Sequence, residues 1–197
     1  MGNLRSVQKA LERVGSEGFI TGDPDAAGEA AGMILPGVGA FPRAMRSVRE
    51  AGLDALVADR IEAGVPVLGI CLGLQLLFES STEHGGAAGI GVLPGAVTGL
   101  EAPGLKVPHI GWEPVRWERT SELVTSLAAD TPFYFVHSFV PRPTEGETLG
   151  TAVYGERFAC AAQKGNVYGV QFHPEKSSAA GLRILGNFAE ICASVPA

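Results

Sequence analysis

Clustered positive charge is what this sequence most plainly lacks. Its 197 residues carry 15 Lys plus Arg against 21 Asp plus Glu, a formal net charge of −6, and contain no basic run. Nucleic-acid surfaces depend on grouped cations facing phosphates, so that class of partner is not expected. Apolar runs near the roughly 20 residues that span a bilayer are also missing, as is a charged-then-apolar leader at the amino terminus. The expectation is a cytoplasmic protein with no membrane association. Cysteine is scarce. Cys71, Cys160 and Cys192 cannot all pair with one another, and their scattered spacing resembles neither a disulfide framework nor a zinc site. A reducing compartment is the natural setting, and no metal or cofactor is expected.

What the chain does have is apolar content. At 46% hydrophobic residues, 197 positions suffice for one compact domain with a substantial core, so residues 1–197 are read as a single domain. Leu4, Val7, Leu11 and Val14 recur at helical spacing, and Gly15 follows as a stop. Short strands are predicted at Phe19–Ile20 and Met33–Leu35, separated by a loop with one helical turn, and a helix from about Arg43 to Ala58. Val65 to Ile70 reads as a buried strand that feeds directly into a helix bearing Leu72, Leu76 and Leu77. From Val92 to Phe172 the texture turns β-rich, with strands predicted near Trp112–Val115, Phe133–Val140, Leu149–Tyr154, Phe158–Gln163 and Val167–Phe172. Lys164-Gly165-Asn166 reads as a hairpin turn. A helix from Ser178 to Cys192 closes the chain.

Three short motifs carry chemistry. Gly69-Ile70-Cys71-Leu72-Gly73 has the form of a nucleophile elbow, in which a sharp strand-to-helix turn crowds the positions two residues either side of the nucleophile. The unpaired N–H groups at the start of the following helix would favour a thiolate at Cys71. The alternative is an inert buried cysteine between turn glycines. Gln171-Phe172-His173-Pro174-Glu175 offers a base with its own orienting group: in extended chain, His173 and Glu175 would project to one side, and Pro174 would stiffen the backbone. A strand-end histidine beside a solvated glutamate is the competing reading. Pro36-Gly37-Val38-Gly39 ends another predicted strand. Backbone N–H groups of Gly37 or Val38, with that of Leu72, could form an oxyanion hole, although an ordinary turn would read the same way.

Together, Leu35-Pro36-Gly37-Val38-Gly39, Gly69-Ile70-Cys71-Leu72-Gly73-Leu74-Gln75 and Val170-Gln171-Phe172-His173-Pro174-Glu175 resemble the class I (triad) glutamine amidotransferases in order and spacing. Within that family the Pro-Gly-Val-Gly loop, Pro108-His109-Ile110-Gly111-Trp112 and Tyr134-Phe135-Val136-His137-Ser138-Phe139 look like the glutaminase subunits of imidazole glycerol phosphate synthase, from histidine biosynthesis. The resemblance implies an α/β, flavodoxin-like three-layer fold with a mostly parallel central sheet flanked by helices. It implies Cys71 as nucleophile, His173 as general base and acid, and Glu175 as orienter. Gly39, Gln75, His137, Ser138 and Phe139 would line the glutamine pocket, and Trp112, Tyr134 and Lys176 would lie near a partner. That partner would be a (β/α)₈ cyclase, joined in a heterodimer, whose barrel takes the ammonia to form imidazole glycerol phosphate and an aminoimidazole carboxamide ribonucleotide.

The start of the chain departs from the family. Members usually carry an apolar strand and an Asp-Tyr-Gly stretch before the segment that here is Met1-Gly2-Asn3-Leu4, so the usual first strand is expected to be missing. Its neighbours in the sheet would then expose unpaired backbone groups, at about 1–3 kcal/mol for each one buried. Two other readings stay open: a glutaminase subunit of another synthase, such as that for pyridoxal phosphate or anthranilate, and a DJ-1-like protein whose elbow cysteine senses oxidation.

Overall fold

The computed structural model describes residues 4–144 and 146–195. Met1–Asn3, where the departure at the start of the chain falls, lie outside the described residues.

Helix α1 spans Leu4–Arg13 and α2 is one turn, Pro24–Gly28, capped by the Asp23 carboxylate, which accepts from the Asp25 N–H. Strand β1 (Met33–Gly37) is followed by α3 (Phe41–Glu50) and α4 (Leu53–Glu62). The single helix expected from Arg43 to Ala58 is therefore two. Gly52, at φ 66°, takes the left-handed conformation that breaks it, a region in which glycine carries no Cβ penalty. Strand β2 (Val67–Cys71) runs straight into α5 (Leu72–Leu76), then β3 (Phe78–Ser81), β4 (Ala87–Ala88) and β5 (Leu93–Gly99). Strands β6 (His109–Trp117), β7 (Thr131–His137), β8 (Phe139–Pro143), β9 (Thr148–Tyr154), β10 (Glu156–Lys164) and β11 (Val167–Val170) follow, and α6 (Ser178–Ser194) closes the described chain.

Seven strands form one sheet in the order β1-β2-β11-β10-β9-β6-β7, and β4-β3-β5-β8 form a second. The large sheet is mixed: β1, β2 and β11 run parallel, and the pairs from β11 through β10, β9 and β6 to β7 are antiparallel. The α/β class and flanking helices agree with the resemblance. On β2 and β11 the side chains alternate between two cores. Leu68, Ile70, Tyr168 and Val170 join α1 and α6 residues such as Val7, Ile184 and Phe188. Val67 and Val167 face the other way, onto Val57 of α4 and Leu74 of α5. Strands buried on both faces read as unbroken apolar runs, which is why Val65 to Ile70 was legible as buried.

Two strand expectations need correction. Phe19 and Ile20 are not a strand; they are 60% and 45% exposed, because two apolar residues make no ladder without a neighbouring strand to receive their backbone groups. The run Phe133–Val140 is two strands, β7 in the large sheet and β8 in the small one, with the chain changing sheets at Ser138. No helix among the described residues is long and apolar enough to cross a membrane.

Candidate active site

The elbow forms because three constraints meet at one residue. Parallel pairing of β1 and β2 places Gly37 opposite Cys71. Helix α5 begins at the very next residue, and Cys71 bridges the two with φ 56° and ψ −112°, a conformation costly for any residue with a Cβ. The turn is tolerated because its flanks carry no side chains. A Cβ on Gly69 would lie 2.6 Å from the Leu74 backbone, and one on Gly73 only 1.6 Å from the Leu35 carbonyl oxygen.

His173 sits just past β11 and is buried, with its backbone N–H donating to the Tyr134 carbonyl at 2.9 Å. The Ser177 hydroxyl donates to the His173 carbonyl at 2.7 Å and accepts from the Tyr134 N–H at 3.0 Å, tying this bend to β7. Nδ1–H of His173 donates to Glu175 Oε1 at 2.8 Å. The pair does not arise from extended chain, as the sequence suggested. Residues Pro174–Lys176 form a 3₁₀ turn, and that turn, opened by Pro174, carries the carboxylate back under the ring. The imidazole also hydrogen-bonds Cys71. Residues about a hundred positions apart are thus in direct contact across the ends of β2 and β11.

Above them lies a cavity of about 290 Å³, lined in part by Val38, Gly39, Cys71, Leu72, Gln75 and His173. His137, Ser138, Phe139 and Lys176 line it as well. A family model described as "Glutamine amidotransferase class-I" matches residues 19–192.

The chain belongs to the class-I glutamine amidotransferases. A relative from Moorella thermoacetica, called imidazole glycerol phosphate synthase subunit HisH, is 53% identical over 192 residues, covering 97% of this chain and 91% of the relative. A protein of the same name from Salinibacter ruber is 46% identical, covering 97% and 91%. Among solved structures, one described as glutamine amidotransferase superposes with a TM-score of 0.76 at 25% identity, covering 98% of this chain and 95% of that one. The structure of PurLQS from Thermotoga maritima, at 18% identity and TM-score 0.70, covering 96% and 93%, shares the fold.

In this amidotransferase the electrostatics centre on His173. Burial works against its charged form, but hydrogen bonds with Cys71 and Glu175 and their negative charge outweigh it, raising the imidazole from 6.5 to about 9. A folded-state value above the unfolded one stabilises the fold fully below pH 6.5, and that contribution is lost as pH rises through about 9. Urea denaturation of the full chain between pH 6 and 10 should therefore show stability falling across that window. In His173→Gln this alkaline fall should be reduced.

Motif reading did not single out four residues at this site. Glu83 lines the cavity while its carboxylate accepts from the Phe41 N–H at 2.7 Å. Pro108 and Val136 also line it, and the Cys71 thiol lies 3.8 Å from the Val136 carbonyl oxygen. Gln171, fully buried, points its Nε2 at the Cys71 sulfur at 3.6 Å and accepts from Gln75 Nε2 at 2.9 Å. A glutamine in a buried strand end two residues before His173 was the one available signal. Outside the cavity, Trp112 and Tyr134 pack edge to face at 5.9 Å, and Lys176, which itself lines the cavity, places Nζ 5.7 Å from the Tyr134 ring centre. Trp112 and Ile110 are 48% and 55% exposed on the outward face of β6.

Proposed function

We propose that this chain is the glutaminase subunit of an imidazole glycerol phosphate synthase, acting as one amidotransferase domain in the cytoplasm. The observation that carries this reading is the His173 imidazole held between the Cys71 thiol and the Glu175 carboxylate at the floor of the cavity. The near-full-length likeness to subunits of that synthase supports its assignment to the same reaction.

Glutamine occupies the cavity with its carboxamide carbon over Cys71, contacted by Gly39, Gln75, His137, Ser138 and Phe139. The Cys71 proton passes to His173 ahead of the attack, and the sulfur then bonds to the carboxamide carbon while the imidazole keeps that proton, as its raised pKa favours. Backbone N–H groups of Gly37 or Val38 and of Leu72 stabilise the resulting oxyanion. His173 returns its proton to the amide nitrogen, the C–N bond breaks, and ammonia leaves a glutamyl thioester. Water then gives a proton to His173 and bonds to the acyl carbon, and glutamate leaves as the thiol is restored. Glu175 holds the ring through Nδ1, so the other nitrogen handles every proton.

The ammonia passes to a (β/α)₈ cyclase in a heterodimer docked over Trp112, Tyr134 and Lys176. Exposed aromatics are common anchors of such surfaces. The test is ammonia release from glutamine by the full chain, alone and with the cyclase and its substrate. The expected result is a much higher turnover in the complex. No release under either condition would end the glutaminase reading, and failure of the two chains to co-purify would end the synthase assignment.

A further inference from the structure

One polar chain crosses the protein without appearing in the mechanism above. His109, the first residue of β6, is fully buried, its ring stacked 3.9 Å from that of Tyr154 and 5.4 Å from that of Phe135. An aromatic slot of this kind asks only for a flat ring, yet this ring carries two nitrogens. Nδ1 lies 3.1 Å from Nε2 of His137, and the His137 Nδ1 lies 3.1 Å from the Phe139 carbonyl oxygen. That carbonyl also accepts from Gln75 Nε2 at 3.0 Å. Gln75 continues to Gln171, and Gln171 to the Cys71 sulfur.

The directions of these bonds follow from one fixed point: a carbonyl oxygen can only accept. His137 must therefore carry its proton on Nδ1, which leaves Nε2 bare. A bare, buried Nε2 needs a donor, so His109 must carry its proton on Nδ1 as well. His109 Nε2 is then the acceptor end of the chain. It is buried with no hydrogen-bond partner and faces Glu113 Oε1 at 3.4 Å, a contact that suits the bare nitrogen when that carboxyl is protonated, the form burial favours at Glu113. Both imidazoles are neutral at neutral pH: burial lowers His109, and burial followed by the neighbouring His109 lowers His137 to about 3. A neutral imidazole has two tautomers, so something must choose between them.

We propose that His109 is a positioning residue: by donating from Nδ1 it holds His137 as the Nδ1–H tautomer, which fixes the 137–139 wall of the cavity against the elbow helix. Segment 137–139 is where the chain changes sheets: His137 pairs with His109 in the large sheet and Phe139 with Gly99 in the small one, so no single ladder runs through that wall. The His137 bond to the Phe139 carbonyl bridges the gap, and the shared acceptor ties it to Gln75, one helical turn beyond Cys71. A loosened wall would bind substrate less well, so the effect falls mainly on KM.

This rests on the glutaminase reading for its kinetic arm only. His109→Phe keeps the stacked ring and removes the donor, whereas His109→Asn keeps a donor near the Nδ1 position and loses the ring. In the complex with the cyclase, His109→Phe is expected to lower kcat/KM for glutamine about tenfold, mainly through KM, as loss of one hydrogen bond would. His109→Asn should recover to within about threefold. A purely structural role predicts the reverse order, with the ring-preserving variant the better enzyme, and that order would overturn the inference. The second arm needs no activity. The chain has 4 histidines, so ¹⁵N-imidazole NMR of the full chain can assign each ring. His137 should appear as the Nδ1–H tautomer in the wild type and as a mixture in His109→Phe. An Nε2–H or charged His137 in the wild type would refute the proposal even if ammonia release were normal. If the wild type releases no ammonia, it is the glutaminase reading that fails, and the tautomer still decides the role of His109.

Discussion

Cys71→Ala is expected to lower ammonia release from glutamine by about 10⁴-fold or more, the scale on which removal of a nucleophile acts. The protein should stay folded, its stability changed by no more than about 1–2 kcal/mol. Two structural facts separate these effects. In the proposed reaction only the sulfur meets the carboxamide and the imidazole, whereas the elbow itself is held by Gly69, Gly73 and the β1–β2 pairing, none of which involves the thiol. Alanine also retains the strain at φ 56°, so the backbone gains no relief that would redraw the turn. A third readout follows from the imidazole. Cys71 is the strongest of the influences that raise His173, so the alanine variant should lose much of the stability difference between pH 6.5 and 9. A variant with near-normal turnover would remove Cys71 from the chemistry, whatever its stability.

The largest structural effect should come from Gly73→Ala. A methyl group there would sit 1.6 Å from the Leu35 carbonyl oxygen, a backbone atom of the neighbouring strand that cannot swing aside. Either α5 or β1 must move; α5 is fully buried, and Leu35 of β1 packs, partly buried, against the same cores. The expected destabilisation is on the order of 3–5 kcal/mol, at the upper end for overpacking, with activity lost alongside it. Gly104→Ala is the control. That glycine has φ 77° but nothing within 4 Å, so only local backbone strain of about 1 kcal/mol applies. Urea denaturation of both variants would compare them directly. Similar midpoints would mean that the elbow is far more plastic than its contacts imply.

The elbow was legible in the sequence because its physics is local: small residues flank a turn that follows a buried strand. His173 and Glu175 were legible as a pair for the same reason, although the turn that joins them was not, since proline opens a 3₁₀ turn as readily as it stiffens extended chain. Long-range placement was harder to read. Gln171 meets the sulfur only because β11 lies beside β2, and nothing near residue 171 announces that neighbour. Glu83 reaches the cavity by accepting from Phe41, 42 positions away. Strand β3 was missed because Phe78–Ser81 follow helix α5 after a single residue, leaving no turn signal between them, whereas β5 fell inside the stretch from Val92 that read as β-rich without a named strand there. The break at Ser138 left only a weak mark, the polar pair His137-Ser138 inside an aromatic run, which does not say that the chain there exchanges one set of partners for another.

The cavity gathers its walls from residues 38–39, 71–75, 136–139 and 173–176, segments spread along almost the whole chain. In the proposed mechanism, then, the thiol is synthesised long before the imidazole that would use it, and a nascent polypeptide would stay chemically silent until the segment around residue 173 has emerged and folded. Such a glutaminase could not be half built: unfinished copies that stop short of residue 173 would hydrolyse no glutamine.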